Sequence, residues 1–570
     1  MDEGAKTDTN VLHLNVGILD YALIAIYFVF VLGIGLLARS QITSSLDFFL
    51  SGRRLPAWVT GIAFVSANLG AVEIMGMSAN GAQIGLATMH YYWIGAVPAM
   101  LFLGVIMMPF YYGSKVRSVP EFMRRRFGPG AHLVNAISFA VAQVLIAGVN
   151  LFLLATVINA LLGWSQWVSL IVAAAIVLTY TALGGLSAAI YNEVLQFFVI
   201  LAALVPLTIF GLIKVGGWNG LRDKVINTVK ADGSVTATTH EQLTTWPGQA
   251  LSGFTSPVWS VIGIVFGLGF VLSFGYWTTN FVEVQRAMAS SSMSAARRAP
   301  IIGSFPKMLI PFVVVLPGMI AAATIGDVMQ LKSTGSGQVT YNDAILLMVR
   351  DILPNGLLGV AVTGLIASFM AGMAANVSAF NTVFSYDIWQ QYIVKDRPDH
   401  YYIQVGRFAT IAATVLAIFT ALIASGYSNL MDYLQTLFGF FNAPLFATFI
   451  LGMFWKRMTA TAGWTGLVAG TLSAITVFAL SKAGVIDLPG QGMPFLAASA
   501  AFVVDIIVSV VVSLVTAPKP EAELTGLVYS QTPVKLFGDP EDAGKPWYLK
   551  PVPLAGVMLA CVVVLNIVFH

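Results

Sequence analysis

The sequence predicts an all-α protein that crosses a membrane many times. Hydrophobic residues make up 57% of the 570 residues and charged residues only 10%, whereas soluble domains are usually about 25% charged. Apolar stretches of roughly 20 residues, the length that crosses a hydrocarbon core as a helix, recur along the whole chain. We count about fourteen of them, and this number indicates a polytopic membrane protein.

The predicted spans follow one another with short connections. They lie near 16–38, 57–83, 86–112, 131–162, 165–184, 189–215, 256–284, 301–327, 356–392, 403–425, 428–454, 460–482, 492–517 and 551–569. The polar insertions at 216–255, 331–355 and 518–550 are too small to form a separate catalytic domain. The N-terminus lacks the basic start of a secretory signal, so we expect the first span to remain in the mature protein.

Charge and cysteine content exclude several classes of function. The formal net charge is only +3, which does not suggest a nucleic-acid partner. A single cysteine, Cys561, and six scattered histidines offer neither a disulfide within one chain nor a metal cluster. We therefore expect no cofactor, and we expect the bilayer itself to be a major partner.

The basic residues predict the orientation of the chain. Lys and Arg concentrate in short loops on the cytoplasmic side of a membrane. If the first span runs from outside to inside, the inner loops are those rich in Lys and Arg, at 39–56, 113–130, 285–300, 393–402 and 455–459. This predicts a protein of the plasma or inner membrane with both termini outside.

Small and polar residues interrupt two of the spans. The span 57–83 contains "VSANLGAVEIMGMSANG", and the span 256–284 contains "GLGFVLSFGYWTTNFVEVQR". Each begins a run of five predicted helices, and matched interrupted segments in two halves indicate an inverted-repeat transporter. The alternative is that the glycines only permit close helix packing, but the polar residues within both spans favour a binding site.

This organisation predicts five regions. An extra N-terminal helix and inner loop would occupy 1–56, and the first five-helix repeat 57–215. An outer loop at 216–255 would join it to the second repeat at 256–455, and flanking helices would occupy 456–570.

Six motifs give the chain a resemblance to the sodium:solute symporter family, and within it to the sodium–sugar cotransporters. They are "DFFLSGRRLPAWVTGIAFVSANLGAVEIMGMSANGAQIGL" (47–86), "RSVPEFMRRRFG" (117–128), "TALGGLSAAIYNEVLQ" (181–196), "GYWTTNFVEVQRAMAS" (275–290), "FPKMLIPFVVVLPGMIA" (305–321) and "ILGMFWKRMTATAG" (450–463). The resemblance implies a leucine-transporter-like core of five plus five inverted helices with flanking helices. That core agrees with the number of predicted spans.

The resemblance also implies part of a sugar site. Asn68 stands at the family's asparagine in the interrupted first core helix, and Tyr276 at the tyrosine that closes the sugar site from inside, with Trp277 beside it. Lys307 and Gln435 match a lysine and a glutamine of later core helices.

Four positions depart from the sugar-transporting members. Tyr92 replaces a glutamate, Gly95 a serine, Glu73 a glutamine and Ser273 an asparagine. The pocket is therefore expected to take a different sugar, a polyol or another small polar solute.

The polar residues of these spans leave several roles open. Glu73 is costly inside a membrane and should face a cavity or a partner; it would bind substrate hydroxyls, carry a proton, or pair with His90 or Lys307 for structure. Lys307 would donate to substrate or extend to the inner interface. Tyr91 is a further candidate, with Tyr92, Tyr276 and Trp277, for stacking on a sugar, although aromatic residues also serve plain packing. The absence of a free arginine at mid-membrane depth favours a neutral substrate over an organic acid.

The coupling ion is the point where the chain departs most from the resemblance. Sodium would bind backbone carbonyls of Ser66 and Leu69 and a carbonyl at Ser368, but Ala371 and Gly372 stand where two hydroxyl side chains are usual. Ser368 or water would have to complete the site. Glu193 stands near the inner end of the fifth core helix, where it would serve cation release or an ion pair.

Together these observations predict a cation-coupled symporter, most readily sodium-coupled, for a small neutral sugar or polyol. Proton-coupled or uncoupled transport is an alternative because of Ala371 and Gly372. A solute sensor with a transporter fold is another, although no large signalling domain is present. The chain shows no nucleophile–base pair that would indicate an enzyme.

Overall fold

The computed structural model describes residues 12–39, 43–226, 241–427 and 429–570, apart from the side chains at 39 and 180–185. Part of the predicted outer loop at 216–255 therefore lies outside the described residues, as does part of the first inner loop. Within the described residues the chain is helical, and its regular elements include no β-sheet.

Fourteen helices follow the predicted spans closely. They are α1 (Ile18–Arg39), α2 (Ala57–Asn68), α3 (Val72–Gln83), α4 (Leu86–Gly113), α5 (Pro129–Leu162), α6 (Gln166–Val215), α7 (Pro257–Thr279), α8 (Met293–Thr324), α9 (Leu357–Ile393), α10 (Asp399–Ala424), α11 (Leu430–Phe454), α12 (Ala460–Lys482), α13 (Gly492–Val515) and α14 (Pro551–Val568). By length and hydropathy, 12 segments in the described part of the chain can cross a membrane, or up to 13 if α2 and α3 count as one broken span.

The prediction of two separate spans at 165–184 and 189–215 is wrong in its boundary. Both fall within α6, which is helical over 50 residues. A straight helix of that length would measure about 75 Å, more than twice the hydrocarbon thickness. The two predicted spans are therefore the two halves of α6, and the described part of the first half is the shorter apolar helix Gln166–Thr179.

Both predicted interruptions are present, the first as a sharp bend and the second as a change of backbone at Asn280, within the stretch 267–286. α2 ends at Asn68 and α3 begins at Val72 with a bend of 57° between them. α7 instead continues without such a break to Thr279. The backbone then becomes extended at Asn280, whose side chain caps the short helix Phe281–Met288.

Helix α8 packs along both halves of the broken helix through glycines. Along α2, a Cβ at Gly61 would lie 2.9 Å from the Ala299 carbonyl oxygen. Along α3, a side chain at Gly318 would overlap the Ser78 carbonyl, and one at Gly81 the backbone of α8. Small residues of this kind let helix backbones approach closely, so α8 holds the bend between α2 and α3.

Two of the family-like motifs meet at the C-terminal end of α11. Arg126, from "RSVPEFMRRRFG", is buried and donates to the Gly452 carbonyl at 2.9 Å, the Met458 carbonyl at 3.1 Å and the Trp455 carbonyl at 3.3 Å. The last carbonyls of a helix have no partner within it, and a basic side chain can satisfy them. This contact explains why the two motifs occur together.

Asp20 joins the start of α1 to the start of α9. Its buried carboxylate accepts hydrogen bonds from the N–H groups of Gly17 at 2.9 Å, Gly356 at 2.7 Å and Gly359 at 2.7 Å. The first N–H groups of a helix lack intrahelical partners. Asp20 supplies the acceptor for α9 from another helix.

We predict that Asp20→Ala lowers the stability of the fold, because it leaves these buried N–H groups without an acceptor. The loss should be roughly 1–3 kcal/mol, measured as a lower Tm of the purified protein in detergent. Asp487→Ala, at an exposed acid between α12 and α13, is the control and should leave Tm unchanged. An unchanged Tm for Asp20→Ala would contradict the capping role.

Candidate transport site

A narrow cavity of about 60 Å³ lies beside the break between α2 and α3. This is well below the roughly 300–1,000 Å³ of open small-molecule sites, so its side chains would have to move apart to admit a solute. All nine residues predicted to bind substrate line it: Asn68, Glu73, Tyr91, Tyr92, Ser273, Tyr276, Trp277, Lys307 and Gln435. The structure therefore brings together side chains from α2, α3, α4, α7, α8 and α11, with Met77, Ala96, Leu272, Met431 and Phe438 completing the lining.

Glu73 and Lys307 form an ion pair in the wall of this cavity. The Lys307 Nζ lies 2.7 Å from Glu73 Oε1 and also donates to Asn68 Oδ1. Only 8% of Glu73 and 1% of Lys307 is exposed, so Lys307 does not extend to the interface. His90, the other predicted partner of Glu73, instead contacts the Thr245 carbonyl at 2.7 Å.

Aromatic faces surround the ammonium group of this pair. Nζ lies 5.1 Å from the ring centre of Tyr92 and 4.9 Å from that of Trp277. A cation over an aromatic face is attracted by the ring quadrupole, and the attraction strengthens when water is excluded. The charge of Lys307 is thus balanced by Glu73 and further stabilised by two rings.

Tyr276 connects the broken helix to the segment that follows α7. Its hydroxyl accepts from Asn68 Nδ2 at 3.0 Å and donates to Glu283 Oε1 at 2.7 Å, while its ring centre lies 4.5 Å from that of Phe438. Glu283 is fully buried, and sequence reasoning missed it. The signal was present, because a glutamate inside the predicted span 256–284 is as costly as Glu73.

Several polar atoms of the cavity wall are available to a ligand. Among the described residues, the Tyr91 hydroxyl and Gln435 Oε1 are buried without a hydrogen-bond partner. Ser273 lies against Gly95, where an added side chain would overlap its Oγ. Gly95 and Ser273, two of the departures from the sugar-transporting pattern, are therefore neighbours in the structure. Ser273 occupies the space that a side chain at position 95 would fill.

The residues predicted to hold sodium also converge on the break. Ser368 Oγ on α9 donates to the Leu69 carbonyl oxygen at 2.7 Å, and Ser66 Oγ is buried with no partner in the described part of the chain. Gly372 packs against Gly70, since a Cβ on either would lie 3.1 Å from the other's Cα. Ala371, beside Gly372, is also fully buried and offers no side-chain oxygen.

Glu193 lines neither this cavity nor a second cavity on the α5 and α9 side of the break. It forms an ion pair with Arg286, with Oε1 2.6 Å from Nη2 and Oε2 3.2 Å from Nε, and both side chains are fully buried. Of its two predicted roles, the structure shows the ion pair.

This geometry is that of a secondary transporter, a membrane protein whose site lies at the break of a discontinuous helix. A solved structure described as the substrate-bound outward-open state of a Na⁺-coupled sialic acid symporter has the same fold. Its TM-score is 0.71 at 18% identity, and the match covers 88% of this chain and 99% of that one. The family model of the sodium:solute symporter family matches residues 48–470, and the chain belongs to that family.

Curated relatives agree with this assignment. A sodium/glucose cotransporter of Vibrio parahaemolyticus is 28% identical over 466 residues, which cover 79% of this chain and 83% of the relative. Sodium/glucose cotransporter 1 of Sus scrofa is 30% identical over 543 residues, covering 90% of this chain and 81% of the relative. The chain is therefore a membrane transporter and not an enzyme.

We predict that Glu73→Gln and Lys307→Met are each strongly destabilising, because each leaves the opposite charge buried and unpaired. Breaking a buried pair costs about 3 kcal/mol or more. The double variant should recover most of the lost Tm, measured on purified protein without substrate.

The exposed pair Lys456–Glu521, at 2.7 Å, is the matched control. Lys456→Met and Glu521→Gln should each change stability by less than about 1 kcal/mol. Purely additive losses at Glu73 and Lys307 would show that the two charges do not stabilise each other.

Proposed function

We propose that this symporter carries a small neutral polar solute, a sugar or polyol, together with sodium. The observation that carries the proposal is the break between α2 and α3. Asn68 and Glu73 extend from it into the cavity, while the Leu69 carbonyl at the break accepts a hydrogen bond from Ser368 Oγ. A single structural element therefore supports both the solute site and the ion site.

The charge balance of the cavity supports a neutral solute. Its carboxylate and its ammonium group neutralise each other through the 2.7 Å contact, which leaves no net charge to attract an organic ion. The remaining polar groups are hydroxyls and amides, and these both donate and accept as sugar hydroxyls do. The rings of Tyr276, Trp277 and Phe438 offer faces for the apolar side of a sugar ring.

Sodium coupling is supported by family membership and by the oxygen atoms at the break. Helix breaks in transporters of this class expose carbonyls that coordinate sodium, and Leu69 and Ser368 hold such a position. Binding of sodium there would fix α2 against α9. Asn68, one residue before Leu69, would then be held in position to bind the solute. Its hydrogen bond to the Tyr276 hydroxyl would hold Tyr276 in position as well.

Alternating access would follow from the same connections. Asn68 donates a hydrogen bond to the Tyr276 hydroxyl, which in turn donates to Glu283. A movement of the broken helix would therefore displace Tyr276, which borders the cavity. Release of sodium would loosen α2 from α9 and let this group move. The orientation of the chain, with both termini outside, stays a prediction.

Gln435→Ala should weaken solute binding without unfolding the protein. Its Oε1 has no partner in the described part of the chain, so a bound solute is the donor it lacks. Loss of one hydrogen bond at roughly 1–3 kcal/mol corresponds to an affinity about 5- to 150-fold lower. Calorimetry with a panel of hexoses and polyols, glucose first, measures the change. Gln330→Ala, at an exposed glutamine, is the control, and normal affinity in Gln435→Ala would assign that residue to structure.

Uptake into proteoliposomes tests the coupling ion. Replacing sodium by choline at fixed pH should abolish concentrative uptake of the solute. Uptake that is unchanged without sodium would overturn the sodium proposal. Stimulation by an inward proton gradient under those conditions would indicate proton coupling, with Glu73 as the carrier.

A further inference from the structure

Asn150 is a polar residue in the middle of an apolar helix. It lies in "LIAGVNLFLL" on α5, and only 3% of it is exposed. Its Nδ2 donates to the Ile146 carbonyl at 3.2 Å, but its Oδ1 is buried with no hydrogen-bond partner among the described residues. Native proteins rarely leave a buried amide oxygen unsatisfied, so this atom requires an explanation.

The oxygen faces the closest contact between the broken helix and α9. A Cβ at Gly372 would lie 2.7 Å from Asn150 Oδ1, and a Cβ at Gly70 would lie 3.1 Å from it. The amide cannot be turned around without placing its oxygen against the Ile146 carbonyl. Asn150 Oδ1 therefore occupies the space into which a side chain at 372 would project.

That space borders the second cavity, of about 70 Å³, on the α5 and α9 side of the break. Gly70, Asn150, Gly372 and Asn376 all line it. Other oxygen atoms are close by along the chain: Ser368 Oγ on the Leu69 carbonyl, and the Gly372 carbonyl, which accepts from Asn376 Nδ2 at 2.8 Å.

We propose that Asn150 Oδ1 is a sodium ligand and supplies the side-chain oxygen that Ala371 and Gly372 cannot. The assignment rests on the proposed sodium coupling and names the residue that completes the ion site. A hard cation binds amide carbonyl oxygens as well as hydroxyls, and the unpartnered Oδ1 has a free lone pair for it. Coordination of the cation would offset the free-energy cost of burying that oxygen without a hydrogen-bond donor.

The assignment has two physical consequences. The ion would connect three helices, α2, α5 and α9, instead of two. The ligand set would also consist of neutral oxygens, and an amide oxygen is not protonated near neutral pH. A proton therefore cannot replace sodium at this site.

Two substitutions at Asn150, both similar in size to asparagine, distinguish the role of its oxygen from the role of its N–H donor. Asn150→Leu removes both the oxygen and the N–H donor, whereas Asn150→Asp keeps an oxygen at the site but loses the donor to Ile146. We expect Asn150→Leu to raise the sodium concentration for half-maximal uptake about tenfold or more, and to remove the sodium-dependent rise in Tm of the substrate-free protein. Asn150→Asp should keep both sodium responses.

Asn159→Leu, at the C-terminal end of the same helix, is the control and should keep the wild-type sodium response. Equal losses of Tm in Asn150→Leu and Asn150→Asp, without sodium in the buffer and with normal sodium affinity, would show a structural role and overturn the assignment. Normal sodium affinity in Asn150→Leu alone would overturn it as well. A wild-type protein whose uptake and Tm ignore sodium would overturn the coupling proposal itself and, with it, the ligand.

Discussion

The backbone break between α2 and α3 is the constraint on which the rest of the site depends. A continuous helix would use every carbonyl internally and would carry Asn68 and Glu73 past the cavity at a different height. The break frees local backbone groups and bends the span by 57°. Glycine suits position 70, since a Cβ there would lie 3.1 Å from both Asn150 Oδ1 and the Gly372 Cα. A larger side chain would press on α5 and α9 beside the proposed ion site.

The ion pair explains how a glutamate is tolerated in this span. A lone carboxylate at that depth would be expensive, but Lys307 reaches Glu73 from α8, and Asn68 and two aromatic rings share the ammonium group. The pair also crosses from α3 to α8, so the same contact that neutralises the cavity helps to hold the bend.

The sequence predicted most span positions, both interruptions and nine of the fourteen residues that line the cavity, because hydropathy and motifs are local properties. It did not predict the continuity of α6, since the small residues between its two apolar halves are equally consistent with a turn and with continuous helix. The sequence also did not predict that Tyr276 would bond to Glu283 or that Glu193 would pair with Arg286. A buried contact between two segments has no signal in the local sequence of either one. Asn150 was overlooked for the same reason: its importance lies in its distance to Gly372, on another helix.

The packing of α8 has a mechanical consequence. Because glycine contacts pack α8 closely against both α2 and α3, we expect the bent helix to turn together with α8 as one lever and not to hinge at its own break. The bent helix would rotate about the contact between Gly70 and Gly372, which lies close to the middle of its length. Each arm has 12 residues and is about 18 Å long, so a rotation of about 10° would move either far end by about 3 Å. That displacement is the width of a water molecule, and it would narrow the path at one end of the lever as it widens the path at the other.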